Sequence, residues 1–236
     1  ILDAMSLYKL NAFHFHFSDD EGWRIEIPSL PELTDVGSNR GHTLNSTSFL
    51  PMAYGSGPNT GVYPGSGYYS KQDFIAILKY ATERHIMVIP EIESPGHSRA
   101  AIKAMDFRYN KFMKLGNKVE AERYMLRDIN DKSVYTSAQN WTDNVMNVAL
   151  PSTYNFMEKV IDEILLMYKE ANAPIVTIHI GGDEVPKGTW ELSPLCNKLI
   201  EEKDQVNTTD DLWYYYIDKM EKLLSERKLL LSGWEE

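Results

Sequence analysis

The stretch "HIGGDEVPKGTW" (residues 179–190) places His179, Gly181 and Asp183 on one parity, so while a strand lasts they face the same way. Glycines at 181 and 182 leave room for another group to approach the backbone. Two adjacent acids, Asp183 and Glu184, follow where the strand should end. Spacing allows two interpretations. One is a polar loop with ordinary surface carboxylates. The other is a carboxylate pair with divided roles, in which like charges at close range oppose joint ionisation, raise one pKa and prepare a general acid near neutral pH.

Two further stretches combine histidines with acids. In "HFHFSDDEGWR" (14–24), His14 and His16 alternate onto one face, and Asp19 and Asp20 follow. In "PEIESPGHSRA" (90–100), Glu91 and Glu93 share a parity and a Pro95-Gly96 turn presents His97. A buried histidine bonded to a carboxylate would orient and tune it. The same residues also allow a metal site of the amidohydrolase kind, with His14 and His16 joined by His97, His179 and Asp183 around zinc or a similar ion. Trp23, Trp141, Trp190 and Trp234 fall in loops or at strand ends, where an indole can either pack or stack on the apolar face of a sugar. Trp213 falls within a helix and is expected in the core.

Residues 2–9 have helical spacing, and 12–17 have the period-2 texture of a strand. A loop rich in Gly, Pro, Ser and Asn runs from about 19 to 69, a length that is usually functional. Ser70 with Asp73 reads as a capping box for a helix ending near 84. Residues 86–93 form a short apolar run ending in acids, as in a buried parallel strand. A mixed insert follows at about 99–150, helical at its start. A long helix over 152–170, a strand over 175–180, a helix capped by Thr208 with Asp211, and a strand in "LLLSGWEE" complete the series.

Helix and strand alternate four times, which predicts a parallel α/β domain spanning 1–236. All candidate residues sit at or just after C-terminal strand ends, where a (β/α)8 TIM barrel holds its active site; a doubly wound sheet would place ligands there too. Four βα units make half a barrel, so a barrel incomplete at both ends is expected. The formal charge of -10, from 34 acids against 24 bases, argues against a nucleic-acid partner. A single cysteine, Cys196, excludes an internal disulfide and a clustered-cysteine metal site. No apolar run is long enough to span a bilayer.

Taken in order, "YKLNAFHFHFSDDEGWRIEI", "PELT", "YGSGPN", "GYYS", "YATERHIMVIPEIESPGHSRAAIKAM", "NVALPSTYNF", "HIGGDEVPKGTW" and "GWEE" resemble the family-20 glycoside hydrolases, especially bacterial chitobiase-like members, nearly end to end. Departures are mild: Phe15 stands where Trp is common and Ser94 where Met is. The resemblance implies a barrel that removes terminal, non-reducing β-linked N-acetylglucosamine or N-acetylgalactosamine from an oligosaccharide or glycoconjugate. It implies a retaining route in which the substrate's own 2-acetamido group is the nucleophile, through an oxazolinium-like intermediate.

By that resemblance Glu184 is the general acid and later the base, and Asp183 orients the acetamido group. His97 with Asp19, in preference to Asp20, forms a network behind Glu184. Trp234 is a wall of the acetamido pocket; Trp190, Asp20 and His179 are further substrate-binding candidates. No metal and no cofactor is implied, which sets the amidohydrolase alternative aside. The resemblance also leads us to expect missing barrel segments, including the arginine of the first strand, and other domains of the same gene product. Exposed sheet edges, low activity of the chain alone and export from a bacterial cell (periplasmic, outer-membrane-associated or extracellular) are expected with them. A catalytically inactive carbohydrate-binding derivative is the alternative of a different class; the complete Asp183-Glu184 pair argues against it.

Overall fold

A short helix, α1 (Leu2–Leu7), leads into β1 (Ala12–Asp19). The computed structural model describes residues 1–53 and 55–235; Tyr54 of "YGSGPN" and Glu236 of "GWEE" lie outside the described residues. Along β1 the side chains alternate between two environments as far as His16, so His14 and His16 share the less covered face. After β1 the chain turns back in β2 (Gly22–Trp23), antiparallel to it. The long loop then holds only a four-residue helix, α2 (Glu32–Asp35), and the paired two-residue strands β3 (Arg40–Gly41) and β4 (Leu50–Pro51).

Helix α3 (Lys71–Thr82) starts where the sequence placed it. Ser70 Oγ accepts from the Asp73 amide at 3.1 Å, and the Asp73 carboxylate accepts from the Ser70 amide at 2.9 Å, a complete capping box. Strand β5 (Met87–Ile92) follows, then α4 (Arg99–Lys114), α5 (Lys118–Glu122) and the 21-residue α6 (Pro151–Ala171). The chain continues through β6 (Thr177–His179), α7 (Pro194–Glu202), α8 (Asp211–Ser225) and β7 (Leu230–Ser232).

Strands β1, β5, β6 and β7 are parallel and lie side by side in chain order, with β2 on the outer edge of β1. This is the sequential arrangement of a (β/α)8 barrel rather than the reversed order of a doubly wound sheet. Register puts His16 beside Glu91, Glu91 beside His179, and His179 beside Ser232, so one layer of side chains crosses four strands. The crossover helices bury the stripes the spacing foretold, including Phe156, Val160, Ile164 and Tyr168 on α6 and Leu212, Tyr216, Met220 and Leu224 on α8. Truncating one of them, such as Ile164→Ala, would cost about 2–5 kcal/mol through lost burial and the cavity left behind. The Tyr168 hydroxyl donates to the Val88 carbonyl at 2.9 Å and ties α6 to β5.

The helical start expected of segment 99–150 is the 16-residue α4, which buries Ala100, Ala101, Ala104 and Met105. The structure corrects three other sequence expectations. Helix α7 was not foreseen, although Ser193 accepts from the Cys196 amide and Pro194 occupies the first helical position. Thr208 does not cap α8; the Asp211 carboxylate in the first turn reaches back to the amides of Asn207 and Thr208. Strand β6 spans Thr177–His179 rather than 175–180, and beyond its end Gly181 and Gly182 take φ of 69° and 91° and turn the chain out of the sheet. Among the described residues, no helix is long and apolar enough to cross a membrane.

Candidate active site

The parallel strand ends β1, β5 and β6 bring four predicted acids together around one predicted imidazole. His97 Nδ1 lies 3.4 Å from Asp19 Oδ1 and 3.4 Å from Asp20 Oδ2. Its Nε2 lies 3.3 Å from Glu184 Oε2 and 3.7 Å from Asp183 Oδ2. His97 is buried, and its contacts with Asp19 and then Asp20 push its pKa up to about 11, so it is an imidazolium at neutral pH. Both His97 (φ 46°) and Glu184 (φ 49°) hold left-handed backbone conformations that L-residues rarely adopt, and such strain concentrates at functional sites.

Two glycines permit this convergence. A Cβ on Gly96 would come within 2.8 Å of the Asp183 carbonyl oxygen, so the turn before His97 packs directly on the end of β6. A Cβ on Gly181 would fall 1.8 Å from Glu93 Oε2, at a φ that already disfavours a side chain. The turn itself is held by Ser98 Oγ, which donates to the carbonyls of Glu93 (2.9 Å) and Gly96 (2.8 Å).

A second layer lies beneath. His16 Nδ1 is 2.7 Å from Glu91 Oε2 and its Nε2 is 3.2 Å from Asp19 Oδ2, and these two carboxylates raise the His16 pKa to about 10. Burial works against ionisation of Asp19, yet hydrogen bonds from His16 and His97 hold its carboxyl below the usual range. Burial pushes Glu93 the other way, up to about 9, with the charges of Asp183 and Glu91 adding to it.

Both aspartates lie 3.4 Å from His97 Nδ1, but their surroundings differ. Asp19 is part-exposed and bonded to His16, whereas Asp20 is buried and accepts from the Arg99 amide (3.0 Å) and Asn144 Nδ2 (2.9 Å). Direct contact of Asp20 with a substrate is therefore replaced by a role in holding α4 and the 144 loop. His179, also expected at the substrate, is buried, accepts the Gly181 amide on Nδ1 at 3.1 Å and lies against Trp234 with ring centroids 4.7 Å apart.

Trp234 is 48% exposed and borders a cleft of about 560 Å³ together with Gly182, Val185, Lys187, Trp190 and Trp213. Trp190 lines the cleft but is buried and donates to the Met146 carbonyl at 3.0 Å. Trp213, expected in the core, is part-exposed, and its indole donates at 3.0 Å to the carbonyl of Gly182, the residue before the acid pair. Trp23 is fully buried and bonds to the Ile25 carbonyl, so it is packing and no sugar platform. Trp141 stacks under the Arg99 guanidinium at 4.1 Å. One contact had no sequence signal at all: Gln139, in the polar loop before Trp141, donates to Glu184 Oε2 at 2.7 Å.

The ligand set proposed for an ion does not gather at one point. Among the described residues, the groups close enough to share an ion are His14–Glu91–His179, His16–Glu91–Glu93 and Asp19–Asp20–His97, none of which includes Asp183. His16 Nδ1 sits at hydrogen-bond distance from Glu91, and His179 Nδ1 is engaged by a backbone amide. The layer has the geometry of hydrogen-bonded ion pairs.

The family model described as glycosyl hydrolase family 20, catalytic domain, matches residues 1–236. The chain is 44% identical over 239 residues to a β-hexosaminidase of Vibrio vulnificus, covering 100% of this chain and 28% of that protein. It is 40% identical over 265 residues to the N,N'-diacetylchitobiase of Vibrio harveyi, covering 100% and 30%. The chain thus spans less than a third of the length of these relatives. Among solved structures, it superposes with a TM-score of 0.81 and 35% identity on a family-20 exo-β-N-acetylglucosaminidase from Vibrio harveyi in complex with N-acetylglucosamine, covering 99% of this chain and 32% of that one. A β-N-acetylhexosaminidase from Bacteroides fragilis gives 0.70 and 27%, with 99% and 37% covered.

Proposed function

The chain belongs to glycosyl hydrolase family 20, and from that premise we propose that it supplies the acid machinery for hydrolysis of terminal, non-reducing β-linked N-acetylglucosamine or N-acetylgalactosamine. The observation that carries the proposal is the placement of Asp183 and Glu184 at the end of β6 within 3.7 Å and 3.3 Å of one buried imidazolium, His97.

The steps follow from the chemistry of that pair. Protonated Glu184 gives its proton to the glycosidic oxygen as the bond from C1 to that oxygen breaks. The carbonyl oxygen of the substrate's acetamido group attacks C1 from the opposite face and forms an oxazolinium ring. Asp183 accepts the acetamido N–H and offsets the positive charge that develops there. Water then attacks C1 while Glu184, now a carboxylate, takes its proton. Two inversions give net retention. Because neither carboxylate attacks the sugar, the two need not straddle the ring and can be chain neighbours. Trp234 provides the flat apolar wall against which the acetamido methyl packs, and Asp19 with His97 holds Glu184 in place.

The test compares an aryl β-N-acetylglucosaminide with the matching aryl β-glucoside, using the intact protein. Loss of a positioned internal nucleophile should slow the glucoside by at least about 10³-fold. Comparable rates would refute substrate assistance. Activity should also survive a chelator; loss on chelation with recovery on adding zinc would revive the metal-site alternative.

A further inference from the structure

Glu91 is 2% exposed, and the acid machinery described above makes no direct use of it. A buried carboxylate is costly unless its lone pairs are met by donors. Here the two oxygens face different partners. Oε2 receives His16 Nδ1 at 2.7 Å and lies 3.0 Å from His14 Nε2. Oε1 accepts the Trp234 indole N–H at 2.9 Å and lies 3.0 Å from His179 Nδ1, whose lone pair is already held by the Gly181 amide. Trp234 is thereby fixed twice, since its own amide donates to the Gly181 carbonyl at 2.8 Å. From Oε2 a second path runs through His16 to Asp19 (3.2 Å), Asp19 to His97 (3.4 Å) and His97 to Glu184 (3.3 Å).

We propose that Glu91 is a positioning residue that ties the indole of Trp234 and the imidazole chain behind Glu184 to one buried anion, so that the pocket wall and the acid hold a fixed separation. The inference rests on the proposed function to the extent that Trp234 faces the substrate. The layer geometry explains why one residue can do this. Glu91 pairs with His16 on one side and His179 on the other, and Trp234 stands two residues beyond Ser232, which pairs with His179.

Replacement of Glu91 by Gln separates the two arms. The amide has one acceptor oxygen, and the cationic His16 draws it more strongly than a neutral indole does, leaving an NH2 group against Trp234. The experiment is a double-mutant cycle on kcat/KM in the intact protein, with Glu91→Gln, Trp234→Phe and the pair. Each single change should lower kcat/KM by about tenfold, and the pair should be within about twofold of the worse single, because both remove the same contact. Losses that multiply would overturn the proposal.

Labelling with 5-fluorotryptophan gives a readout independent of turnover. The Trp234 resonance, assigned by its loss in Trp234→Phe, should be single and narrow in the unaltered protein and should shift or broaden in Glu91→Gln. A broad or multiple resonance in the unaltered protein would overturn the proposal even if Glu91→Gln does not fold. Failure of the unaltered protein to cleave the aryl substrate would instead count against the proposed function, while the fluorine signal would still decide the role of Glu91.

Discussion

Gln139 Nε2 lies 2.7 Å from Glu184 Oε2, although 45 residues separate them in the chain. The loop that carries Gln139 is anchored just beyond that residue. Trp141 donates to Glu21 Oε1 at 3.1 Å and stacks on Arg99, and Arg99 Nε bonds Asp143 at 2.7 Å. The segment between α5 and α6 therefore delivers a neutral donor to the same Glu184 oxygen that lies 3.3 Å from His97 Nε2. Glu184 is held by a fixed charge and a fixed dipole.

Gln139→Ala tests that contact. One hydrogen bond is worth about 0.5–1.5 kcal/mol, so kcat/KM should fall by about 2–12-fold. The side chain is exposed, and the melting temperature should stay within about 1 °C. An unchanged kcat/KM would remove Gln139 from the site.

The pH dependence of stability follows from the imidazole chain. His97 and His16 have folded-state pKa values of about 11 and about 10, raised from 6.5. Their stabilising contribution is complete below 6.5 and is lost as pH rises toward those values. Asp19 has the opposite sign: its lowered carboxyl contributes above 3.8 and loses that contribution as pH falls further. These three groups by themselves give a stability that is flat from about pH 4 to 6.5 and declines on either side. His97→Gln should flatten the alkaline decline; an identical decline in that variant would contradict the assignment of His97 as a buried cation.

Glu93 adds a decline that starts lower, at about pH 4.5, so thermal melts of the unaltered protein should fall from there upward and more steeply above 6.5. Burial raises its pKa from 4.5 to about 9, so in the pH range between these values ionisation favours the unfolded chain. Among the described residues, no hydrogen-bond partner reaches its Oε2, which faces Gly181. Glu93→Gln keeps the shape and removes the ionisation, so the melting temperature at pH 8 should rise by at least about 2 °C. A fall at pH 8 would show that Glu93 is ionised and paired in the folded protein.

Sequence made some of this legible because some of it is local. The capping box at Ser70, the parity of His14 with His16, and the acids after β6 are set by neighbours within four residues, and each has a spacing rule. What it could not supply depends on partners brought from afar. Asp20 is buried because Arg99 and Asn144 reach it across 79 and 124 residues. Trp213 lies within a helix but one position off its buried stripe, and its bond to the Gly182 carbonyl holds it at the cleft. Gln139 lies in a polar stretch with no pattern, where only the folded loop shows what it touches. Helix α7 is different: Ser193 and Pro194 are a local start signal that the sequence does carry.

The most direct measurement is kcat/KM of the intact protein and its Glu184→Gln variant on β-N-acetylglucosaminides with good and poor leaving groups. Loss of the general acid should lower kcat/KM by at least about 10²-fold on a sugar aglycone, with a smaller loss on a nitrophenyl one that needs less protonation. Rates within about twofold of the unaltered protein on both substrates would contradict the assignment of Glu184 as the acid.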